Sequence, residues 1–105
     1  MKYVIVQPNQ QMWVGVSGNV VRLSTMCYKD EKLKWFNSLK EAMEHANKVA
    51  DNPLWERLYS DNTISICKAI IERHTTENGK PYTTVHAGEV VKKVALKKAN
   101  LNLYW

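Results

Sequence analysis

Hydrophobic and polar positions set out two kinds of period along this chain. Residues 2–7, KYVIVQ, are rich in Val, Ile and Tyr and read as a strand, closed by Pro8-Asn9-Gln10. Residues 12–16 read as a second strand, with Met12, Val14 and Val16 on one face and Trp13 on the other. Ser17-Gly18-Asn19 is the next turn, and residues 20–26 form a third strand. Links this short imply an antiparallel meander. Gly15, inside the second strand, marks a bulge or a close backbone approach. The charged run at 30–34 reads as a loop.

The period then changes. Ser38 and Glu41 stand three apart, as in a capping box: the hydroxyl takes an orphan amide and the carboxylate reaches back to the cap. Leu39, Ala42, Met43, Ala46, Val49 and Ala50 recur at helical spacing, while Lys40, Glu44 and Lys48 alternate in sign outside. Asp51-Asn52-Pro53 ends the helix. Trp35 and Phe36 are expected to anchor its entry, with Trp35 and Trp55 in the core.

Beyond Pro53, Leu54, Trp55, Leu58 and Tyr59 suggest a short second helix. Ile64, Cys67, Ile70, Ile71 and His74 again fall at helical spacing, although Ile64 and Ile66 also alternate. Asn78-Gly79 is a hairpin signal. It would pair 73–77 with 82–86, setting His74 opposite Thr83 and His86 opposite Ile71; otherwise 82–86 is a loop into a helix capped by Thr83 or Thr84. The resulting expectation is an α+β fold: an N-terminal antiparallel meander packed on a helix (1–52), followed by a mainly helical half (53–105), together one compact domain.

In residues 87–105, Val90, Val91 and Val94 share a helical face, Ala95 and Leu96 allow a tight turn, and Leu101 and Tyr104 stand three apart. The spacing of Val91, Ala95, Leu96, Leu101 and Tyr104 resembles the helix-turn-helix family; the competing reading is one continuous amphipathic helix. The N-terminal half is similar to small bacteriophage proteins. The likeness lies in the opening KYVI strand and in Trp35, Phe36, Ser38, Leu39, Glu41 and Ala42 at the helix start. It implies a viral origin and no activity.

Composition sharpens this only in part. The 105 residues carry a formal charge of +5. Residues 1–63 hold eight Lys/Arg against seven Asp/Glu, and residues 64–105 hold seven against three, so the excess lies in the second half. No segment is apolar enough for a membrane span or a signal peptide, which points to the cytoplasm. Cys27 and Cys67 lack paired spacing, and His45, His74 and His86 lack ligand partners, so no metal or other cofactor is expected. His45 is expected to be solvated. Without a phosphate-binding glycine loop, a nucleophile motif or a well-placed carboxylate pair, an enzyme is not expected.

The leading expectation is a DNA-binding regulator, a homodimer on duplex DNA. Lys92, Lys93, Lys97 and Lys98 would meet phosphates, and Asn100 and Asn102 base edges. The alternative is a viral protein that inhibits a host or defence enzyme by contact with an acidic surface, using Trp13 and Trp105. A third is a module holding a small anionic ligand.

Overall fold

The computed structural model describes residues 1–7, 12–22, 32–52, 54–55 and 62–97. Five strands and one helix follow in order: β1 (Tyr3–Gln7), β2 (Met12–Val14), β3 (Val20–Arg22), α1 (Leu39–Val49), β4 (Thr63–Thr75) and β5 (Pro81–Ala95). They make one antiparallel sheet of order β3-β2-β1-β4-β5. β1 from the first half of the chain and β4 from the second lie side by side, with Ile5 opposite Ile66.

The expected mainly helical C-terminal half is therefore overturned, because residues 63–95 form a long β-hairpin. The helix expected over 87–94 is the second arm of that hairpin, and the remainder of the helix-turn-helix pattern, 98–105, lies outside the described residues. Most of the short helix expected at 53–59 and the end of the third strand also lie outside them. The physical reason is side-chain type: β4 and β5 are dense in Thr, Ile, Val and Tyr, which favour a pleated surface over a helix.

Helix α1 starts as its cap requires. Ser38 Oγ accepts from Glu41 N at 3.1 Å, a contact worth about 1 kcal/mol. Glu41 reaches back one residue further than a simple capping box, its Oε2 accepting from Asn37 N at 3.3 Å. Ala42 and Ala46 bury the helix against Ile5, Met12, Val14, Ile64, Ile66 and Val94, all from one face of the sheet. Their small size lets the helix sit close to the strands. Trp55 is buried in this core as expected, its Nε1 donating to Val49 O at 2.9 Å. Trp35 is not; it is 41% exposed, and Phe36 takes the buried place.

The run 32–36, in part expected to be a loop, is an extended segment joined to the sheet. Lys34 N donates to Val14 O, Val16 N to Lys32 O, and Tyr3 and Phe36 exchange both backbone bonds. Gly15, where a bulge or a close approach was expected, forms an antiparallel bridge with Leu33. Val16, expected to share the buried face of Met12 and Val14, is exposed.

Candidate functional site

The feature that departs most from a compact sheet is the β4–β5 hairpin. β1 flanks β4 only as far as Lys68, with one further bond from Ala69 N to Lys2 O. Six residue pairs continue beyond that point, from Ile70–His86 to Thr75–Pro81. At about 3.3 Å per residue, they form a two-stranded arm roughly 20 Å long. None of its residues is buried. The radius of gyration, 15.0 Å, exceeds the roughly 13 Å of a compact chain this long, and the long axis reaches 56 Å.

The arm leaves the sheet at two irregularities. Ile66 pairs with Lys92, Cys67 with Val90 and Ala69 with Ala87, so β5 spends two extra residues there. Such bulges bend a strand and increase its twist. Gly88 stands among them, and a Cβ at this position would lie 2.9 Å from Lys68 O and 3.1 Å from an Ile70 side-chain carbon.

The tip is a three-residue loop. Gly79 N donates to Thr76 O, Thr76 N to Lys80 O, and Gly79 adopts a φ of +81°. This sets His74 opposite Tyr82 and Ile70 opposite His86, one position away from the register expected of a two-residue Asn-Gly turn. One face of the arm is ordered by side chains. The His74 and Tyr82 rings stack at 4.9 Å and 21°, His74 Nε2 lies 3.0 Å from Thr84 Oγ1, and Glu72 is 3.7 Å from the same nitrogen. On this face Ile70 and Tyr82 are 47% and 45% exposed.

Of the residues expected to meet DNA, Lys92 and Lys93 do not share a face. Lys92 pairs with Ile66 and Lys93 with Ser65, so as neighbours in a strand they project from opposite faces. Lys97 follows the strand, with its backbone N–H on Ala50 O. Lys98, Asn100, Asn102 and Trp105 lie outside the described residues. Lys92 and Lys93 do suit another task. β5 is an edge strand, and lysines, bulges and a proline on an edge discourage uncontrolled pairing. Trp13 pairs with Val6 and Val21 on the face away from α1 and is half-buried.

His45, expected to be solvated, is half-buried. Its Nε2 lies 2.8 Å from Gly18 O, and its ring is 5.2 Å from that of Phe36. It borders an open polar cleft of about 470 Å³ between the β2–β3 turn and the end of α1. Lys48 and Asp51 give that cleft charges of both signs, which single out no anion. Among the described residues, no group of three or more His, Cys, Asp or Glu could hold a metal ion, and no helix is long and apolar enough to cross a membrane.

The sequence signals for the arm were the Asn-Gly turn and the β-branched residues around it; its length could be read only from where β1 stops. Compared with known proteins, the chain matches no family model, no curated protein and no solved structure.

Proposed function

We propose that this chain is a protein-binding module that meets its partner through the projecting β4–β5 arm. One observation carries the reading: six strand pairs extend past the sheet, contain no buried residue, and present Ile70 and Tyr82 on one face, with Tyr82 stacked on His74. A lone two-stranded ribbon is marginal in water, so its length contributes little to the fold. Stacking on His74 orders the Tyr82 ring before contact and lowers the entropy lost on binding. Exposed aromatic anchors of this kind carry much of the energy in protein interfaces.

A two-stranded ribbon also fits the major groove of duplex DNA. That use needs a positive arm to meet phosphates. Here Arg73 and Lys80 are offset by Glu72 and Glu77, which favours a protein partner. The resemblance of the N-terminal half to small bacteriophage proteins implies a viral origin without an activity, and inhibition of a bacterial enzyme is the use of such contact to test first. It also makes a bacterial extract the first place to search.

The test is affinity capture from that extract with and without nuclease, using the native chain and a Tyr82→Ala, Ile70→Ser variant. The expected result is one stoichiometric protein, indifferent to nuclease and reduced at least tenfold by the variant, as for loss of a binding hot spot. Recovery of nucleic acid, or capture equal with both chains, would overturn the arm as the contact.

A further inference from the structure

Residues 82–86 of the arm line one open cleft of about 300 Å³ together with Lys32 and Leu33 of the segment at 32–36, and both sides present backbone groups there. Even-numbered residues of the segment turn their backbone groups toward the sheet: Lys34 N bonds Val14, Lys32 O bonds Val16, and Phe36 bonds Tyr3. The antiparallel bridge of Leu33 with Gly15 leaves the N–H and C=O of Leu33 directed the other way. On the arm, Ala69 gives its N–H to Lys2, so its partner Ala87 also points its groups away from the ladder. The same alternation puts the N–H and C=O of Val85 and Thr83 on the free edge of β5.

The free edge of β5 at Thr83 and Val85 and the outward backbone groups of Leu33 therefore border the same cleft. Leu33, Val85 and Tyr82 give its walls apolar surface. Its described lining includes Lys32 and His86 but no carboxylate, and the described residues of the adjoining groove beside Leu33 add Val16, Lys34 and Trp35, again without one. Glu72, across from Thr84 on β4, lines neither.

We infer that this cleft takes an extended segment of a partner protein by strand addition, and that the segment alternates apolar and acidic side chains. Main-chain hydrogen bonds supply the attachment, and alternate side-chain pockets and the lysines supply the selectivity. The inference rests on the protein-binding reading and names the chemistry of its partner.

The experiment is amide hydrogen exchange on the full chain, free and with a capped peptide alternating Val and Asp. In the free chain, the Leu33, Thr83 and Val85 amides should exchange fast. The peptide should protect those three, while an N-methylated version and a Val/Lys version should not. Lys32→Glu with Lys34→Glu should weaken the Val/Asp peptide by several-fold to about tenfold and give the Val/Lys peptide measurable binding. Slow exchange in the free chain would mean the edges are already paired, and would overturn the inference. So would protection elsewhere, or none at millimolar peptide. Capture that still depends on Tyr82 alongside any of these results would leave the arm reading standing and remove only the strand addition.

Discussion

Cys67 shows how one residue reports on both faces of the sheet. It pairs with Val4 on the face away from α1, and both are buried there, as is Ser65. The thiol is free, and burial pushes its pKa above the ordinary thiol value because the thiolate is penalised away from water. At neutral pH a thiol reagent should therefore leave Cys67 unlabelled in the native chain and modify it only on unfolding, as read by mass mapping. The sign of the pH effect follows. Above the ordinary thiol pKa, the unfolded chain loses this proton while the folded one keeps it, so stability falls as pH rises through that value. A urea midpoint that declines less with alkaline pH in Cys67→Ala than in the native chain would bear this out.

Among elements, the hairpin is governed by its two bulges. They let β5 run 15 residues against 13 in β4, and they lie where the sheet ends and the arm begins. Gly88→Ala would place a methyl against the Lys68 carbonyl, a backbone atom that cannot swing aside. The expected cost is about 1–3 kcal/mol, typical of overpacking. Thermal denaturation should show it as a lower Tm, and an unchanged Tm would mean that the bulge relaxes freely.

The same hairpin explains what was legible in the sequence. β2, the Ser38 cap and the α1 stripe were readable because each has one buried face, which prints a clean period; β1, buried on both faces at Val4 and Ile5, was readable from its Val, Ile and Tyr content instead. β4 prints no such period: Ile64, Ser65, Ile66 and Cys67 are buried in succession because helix-side and far-side residues are both covered. A strand buried on both faces loses its period of two, and the spacing of Ile64, Cys67, Ile70 and Ile71 then imitates a helix. In β5 the extra residues put Val90 and Val91 side by side, again mimicking a helical face. The arm surface was hidden for a different reason: its exposure depends on where β1 ends, a tertiary fact no local window carries.

For the whole molecule, the core and the arm should be separable. The core draws on β1, β2, β3, α1 and the part of the hairpin nearest the sheet, from Ile64 and Ile66 to Val94. Leu96 N on Asn62 O and Lys97 N on Ala50 O fasten the end of β5 back to that core. No buried residue lies between Cys67 and Val94, so the arm adds length without adding to the sealed interior. A chain in which Ile70 is joined to His86 through a short Asn-Gly turn, omitting 71–85, keeps every buried contact of the core. Its unfolding should remain a single cooperative transition, with stability within about 1 kcal/mol of the native chain, as for changes away from buried features. It should at the same time lose the captured partner and the protection of Leu33 by the Val/Asp peptide, because Thr83 and Val85 are gone. Loss of cooperative unfolding in the shortened chain would show that the arm is needed for folding. Retained capture by a folded shortened chain would move the contact to the sheet, where Trp13 and the exposed Trp35 would be the next residues to change.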